Sequence, residues 1–370
     1  MTSVARLRWS LDLGCPHEAI CAAAAAGGCT EVLTYARTLE LPWGETCASA
    51  ALYGHLEALR YAHAHGCPWN ETTCASAAAG GHLQCLRFAN DNGCPWDDAT
   101  CANAAAFGHL ECLQFAHAQG CAWTAVTCEH AAGGGQLQCL TYAHEQGCAW
   151  DEATCGNAAA HGHVACLRYA HEMGCGWGPT TCASAAAYGK LEALTYAREH
   201  GCGWDETACA SAAEGGHAAI LQYLHEGGCP WSDDACALAA AGGHLACLQF
   251  MHQHGCPWGQ ETCVAAAENG HLECLQYAHE HACPWWDELT ACAYAARGGH
   301  LACLQYLHVH GCQWDEATCA DAAACGRLDC LQYAYEHGCA WDYETCRVAL
   351  KYRHLDCLQY ARDNGCPLDE

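Results

Sequence analysis

Residues 96–123 read WDDATCANAAAFGHLECLQFAHAQGCAW, and most of the chain is this stretch written again with small edits. Asp97 stands where a side chain accepts backbone N–H bonds at a helix start, and Asp98-Ala99-Thr100-Cys101 then runs into an alanine-rich segment that Gly108 ends. With Asp97 as the N-cap, Trp96 and Cys101 fall at the two positions of a hydrophobic staple, which predicts that they pack together and fix the entry of the chain. After the glycine, Leu110, Cys112, Leu113, Phe115 and Ala116 recur at helical spacing with Glu111 and Gln114 between them, so a second helix with one apolar face follows. Gly120 ends it, and Cys121-Ala122-Trp123 leads into the next copy. Nothing alternates with period two, and no strand is expected.

The spacing decides the architecture. The glycines between the two helices fall at Gly54, Gly81, Gly108, Gly135, Gly162, Gly189, Gly216, Gly243 and Gly270, each 27 residues after the last. Two short helices cannot bury their apolar faces alone, so each pair must lean on its neighbours. This is the signature of an all-α solenoid, and no linker or composition break interrupts it. The expectation is one array over residues 1–370: an N-terminal half repeat whose helix over 1–14 caps one end, about 13 repeats, and a C-terminal capping repeat over 346–370 that carries Lys351, Arg353 and Arg362. An insertion of two residues at Pro284-Trp285-Trp286-Asp287 lengthens one connection.

The run from Ala105 to Cys121, AAFGHLECLQFAHAQGC, resembles the ankyrin repeat, whose familiar core is AAxxGHLEVVKLLLEAGA. The family's TPLH tetrapeptide matches Ala99-Thr100-Cys101-Ala102, so its proline and histidine are gone, and six residues are missing where ankyrin repeats carry a β-hairpin finger. The resemblance implies that the first helix lines a concave, partner-binding face, and that the histidine after the turn glycine hydrogen-bonds the loop of an adjoining repeat.

Composition bounds the function. A net charge of −27 with only 14 Lys and Arg, none of them between Arg87 and Arg168 or between Arg198 and Arg297, argues against nucleic acid as a ligand. No apolar run reaches the ~20 residues of a membrane span and none forms a signal peptide, so a cytoplasmic or nuclear chain that does not bind membranes, and acts as a monomer, is expected.

Thirty-seven cysteines fall mainly on three tracks: one in the first helix (Cys101 and its equivalents), one after the glycine that ends the second helix (Cys121), and one inside the second helix (Cys112). Two readings compete. His109 and Cys112, like His271 and Cys274, share a helical face as zinc ligands would. Against this, the residues that replace cysteine are apolar: Val32, Ala58, Ala193 and Ile220 on the third track and Leu41 on the second. Substitutes of that kind indicate packing. We therefore expect no metal and no cofactor, with a zinc-binding or storage protein as the alternative. Histidines present in every unit are scaffold before they are site, and no catalytic motif occurs, so an enzyme is not expected.

Specificity should lie where the units differ. The residue before the turn glycine reads Tyr53, Gly80, Phe107, Gly134, His161 and Tyr188 along the first part of the array. Tyr53, Phe107, His161 and Tyr188, with Glu129, are the candidate contacts for a protein partner that carries a basic segment. The paired Trp285 and Trp286 are a second candidate.

Overall fold

The computed structural model describes residues 4–5, 19–283 and 291–367. The helix expected over 1–14, the lengthened connection with Trp285 and Trp286, and residues 368–370 lie outside the described residues. Among the described residues there are 26 helices, from Ile20–Ala26 to Leu355–Asp363, and no strand. No helix among them is long and apolar enough to cross a membrane.

Each repeat folds for local reasons. Asp97 is extended (φ −136°, ψ −172°), and its side chain accepts the Ala99 N–H at 3.2 Å, which starts the helix Asp98–Ala106 where the sequence predicts. Asp151, Asp205, Asp315 and Asp342 do the same in their own repeats. The helix closes through Gly108, whose φ of +78° lets the His109 N–H turn back to the Ala104 carbonyl at 2.8 Å. The second helix, Leu110–Ala118, closes in the same way through Gly120, and the Cys121 N–H reaches the Ala116 carbonyl at 3.0 Å. The backbone then runs through Cys121–Thr124 straight into the next helix, with no hairpin.

The described contacts group into two compact units, one of residues 1–181 with 192–202 and one of 182–191 with 203–370. In the first unit the helices Thr46–Leu52, Glu71–Ala79, Asp98–Ala106, Ala125–Gly133 and Glu152–His161 pack side by side in one row, and the second helices of the same repeats form another. The second unit repeats the arrangement from Glu206–Glu214 to Tyr343–Lys351. This is the solenoid packing that the period requires. The core is small-residue packing around one leucine per repeat: Cys101, Ala104, Ala105 and Leu113 are wholly buried, as are their equivalents.

Successive repeats are tied at the turn. His109 Nε2–H donates to the Ala79 carbonyl at 3.0 Å, and His55, His217 and His244 reach the repeat before them in the same way. The imidazole lies directly on the preceding turn glycine: a Cβ added to Gly81 would stand 2.4 Å from His109 Nδ1. The last described turn departs from this pattern. Arg353 takes the glycine's place at φ +63°, and Leu350, Tyr352 and Leu355 around it are exposed, so this repeat presents apolar groups alongside its cations.

Candidate functional site

Three features stand out from the repeated scaffold. The first is the row of first-helix C-termini. Tyr53 and Phe107 follow the helices Thr46–Leu52 and Asp98–Ala106, and His161 is the last residue of Glu152–His161. Tyr53 is 56% and Phe107 59% exposed. His161 is exposed too, with Nδ1 hydrogen-bonded to the Asn157 carbonyl at 2.9 Å. Glu129, on Ala125–Gly133, is half-buried. Tyr188, 63% exposed, belongs to the other unit and holds the equivalent place there.

Between these residues the chain has Gly80 and Gly134, and here the structure adds a constraint the sequence hides. A Cβ on Gly80 would stand 2.1 Å from the Leu52 carbonyl oxygen, and one on Gly134 2.0 Å from that of Ala106. Glycine at these two positions is required by close approach to the previous repeat. The variation from unit to unit is therefore partly steric, and the selectable positions are fewer than the sequence suggests.

The second feature is the thiols. The Cys101 thiol donates to Cys121, which donates in turn to the Asp97 carbonyl at 3.1 Å. That hydrogen bond and then burial hold Cys101 well above the usual thiol range. Cys74 with Cys94 and Cys128 with Cys148 repeat the pair, and Cys94 and Cys148 likewise donate to the carbonyls 24 residues before them, those of Asn70 and Thr124. On the third track, burial alone pushes Cys85 and Cys139 up to about 11, and it is the main cause of the same value at Cys112. The groups that suggested zinc face different partners: His109 is bonded to Ala79, Cys121 to Asp97, and Cys112 is buried. Among the described residues no group of three or more His, Cys, Asp and Glu side chains is placed to hold a metal ion.

The third feature is an aromatic ladder on the second-helix row, which sequence reasoning missed. Trp123 stacks on His117 of the preceding helix, with centroids 3.7 Å apart, and meets Tyr142 of the following repeat edge-on at 6.3 Å. His144 stacks on Trp150 and its Nδ1 shares a hydrogen bond with the Tyr169 hydroxyl at 3.1 Å. The contact the structure gives Trp96 is likewise edge-on with Phe115, at 6.3 Å. Trp123 and Trp150 thus each bridge two repeats where the hairpin is missing. The constant spacing of His, Trp and Tyr in the sequence was the available signal.

A family profile described as ankyrin repeats in many copies matches residues 263–308. No curated protein matches the chain. Among solved structures, the crystal structure of the human ASB11 ankyrin repeat domain is similar, with 19% identity, a TM-score of 0.38, and coverage of 43% of this chain and 84% of that one. The profile match takes in one repeat and part of the next, the same unit recurs at the 27-residue period along the sequence, and most of the described helix pairs turn on the glycine and histidine described above. Over residues 263–308 the chain is similar to the ankyrin repeat family, and the same helix-pair unit recurs along the described residues.

Proposed function

We propose that the chain is a non-enzymatic scaffold that binds another protein through the C-terminal ends of its first helices. Ankyrin repeats are generally protein-interaction modules, and the fold is typically a scaffold rather than an enzyme. One observation carries the finer reading. Tyr53 and Phe107 expose more than half of their surface at the ends of alternate packed helices, with glycine between them. Large aromatics held at such exposure on a rigid row are the anchors that protein interfaces use. Tyr188 offers the same anchor in the second unit.

The partner's chemistry follows from charge. No Lys or Arg lies between Arg87 and Arg168, and Glu129 is on the helix between those that end in Phe107 and His161. A basic segment is steered to such a surface while the aromatics supply most of the affinity. Residues 1–370 would act as one array. Selection of displayed random peptides on the intact chain tests this: the enriched sequences should be basic and should be lost on Tyr53→Ala/Phe107→Ala. Acidic or uncharged winners, or winners indifferent to both substitutions, would contradict the reading.

A further inference from the structure

On the second-helix row, three in-chain arginines show what the outer aromatic rings accept. Arg60 lies over Phe88 at 5.5 Å, Arg87 over Phe115 at 5.1 Å and Arg168 over Tyr196 at 5.5 Å, each from 28 residues before its ring. A guanidinium over a ring face is a cation–π contact. In residues 203–370 the same rings recur without that cation. The residue 28 before Phe250 is Gln222, and the residue 28 before Tyr277 is Gln249.

The rest of the setting is conserved within the chain. His200 packs on Tyr196 at 4.1 Å, His254 on Phe250 at 4.2 Å and His281 on Tyr277 at 4.1 Å, all at similar tilt. Trp177, Trp231 and Trp258 meet the same three rings edge-on. Phe250 and Tyr277 are half-buried, as are Phe88 and Phe115 beneath Arg60 and Arg87, while Tyr196 beneath Arg168 is 8% exposed; what differs is the residue 28 before the ring. The counter-charge is also in place. Gln222 Nε2–H donates to Glu226 at 2.8 Å, and no Lys or Arg occurs between Arg198 and Arg297.

We propose that the faces of Phe250 and Tyr277 are a binding site for arginine side chains of an extended basic segment of another protein, seated where Gln222 and Gln249 leave out the in-chain arginine. Tyr333, which follows Gln305 at the same interval, continues the site. Guanidinium is the fitting cation because it is planar, weakly hydrated and stacks on rings, and because its N–H groups pair with carboxylates such as that of Glu226, which Gln222 now bonds. Packed helices lie roughly 8–10 Å apart, and an extended chain rises about 3.4 Å per residue, so the matching segment carries an arginine at about every third residue. This site is on the second-helix row of the second unit and does not depend on the first-helix reading.

The test is fluorescence anisotropy on the full chain with two labelled peptides, one of four Arg-Ser-Ser triplets and one of four Lys-Ser-Ser triplets, at about 0.15 M salt. The arginine peptide should bind at least about tenfold more tightly. Gln222→Arg/Gln249→Arg, which fills the places from within, should weaken it by about tenfold or more. Gln313→Arg/Ala340→Arg adds the same charge at exposed loop positions and should weaken it less than about threefold, the scale of screened surface charge. Equal affinity for the two peptides, an equal effect of the two variants, or no binding of the arginine peptide would overturn the proposal.

Discussion

At the scale of single residues the cysteines are the hardest feature to read and the easiest to test. That they are interior was legible, because Val32, Ala58 and Leu41 stand in for them. What they do there was not: the chain of donation from Cys101 through Cys121 to the Asp97 carbonyl joins residues 20 and 24 apart, and only the folded turn brings these together. A thiol on the second track therefore satisfies a hydrogen bond that alanine could not. Reactivity follows from exposure and from the raised thiol values, since the thiolate is the reactive form. Of the described cysteines only Cys29 and Cys325 are half-exposed. Titration of the native chain with a thiol reagent should give a fast phase that loses two equivalents in Cys29→Ser/Cys325→Ser, with Cys112 and its equivalents reacting only on unfolding. Fast reaction of many thiols in the doubly substituted chain would show that the core is open.

At the scale of elements, helix starts were written plainly by Asp97 and its copies, and helix ends by the glycine period. Two things were not. Gly80 and Gly134 read as points of variation but are contacts with the previous repeat, and the Trp ladder needs rings from two repeats to become visible. The turn glycines separate backbone strain from packing. Gly66 (φ +78°) has nothing within 4 Å of an added Cβ, whereas Gly81 (φ +71°) would meet His109. Gly66→Ala should cost about 1 kcal/mol, the left-handed penalty alone, and Gly81→Ala clearly more; equal losses in chemical denaturation would mean that the imidazole moves aside freely. The histidines of the ladder set a pH dependence. Burial first, and then His281, His310 and His337 respectively, hold His252, His279 and His308 below the usual imidazole value. Their contribution to stability is complete above the unfolded value of about 6.5 and is lost as pH falls from there through the lower folded values. The melting temperature should fall from pH 7.5 to 5.5, less steeply in His252→Gln/His279→Gln/His308→Gln, and an unchanged slope in that variant would assign the effect to other groups.

At the scale of the whole molecule, sequence and structure agree on the architecture because one unit, repeated, leaves few ways to bury its apolar stripe. Function is less legible for the same reason: a constant scaffold carries no specificity, and the few positions that break the pattern have to bear it. We propose Tyr53, Phe107 and Tyr188 as such positions, on the ground that each exposes more than half of its surface. The acidity of the chain, −27 overall, speeds encounter with a basic partner but does not select one. The central claim is that the ends of the first helices are where a partner is held. It is tested most directly by the dissociation constant of a selected basic peptide for the intact chain and for Tyr53→Ala/Phe107→Ala. The account predicts a weakening of roughly tenfold or more, the scale of a lost aromatic anchor, with the helical spectrum unchanged; affinity that stays the same in that variant would contradict it.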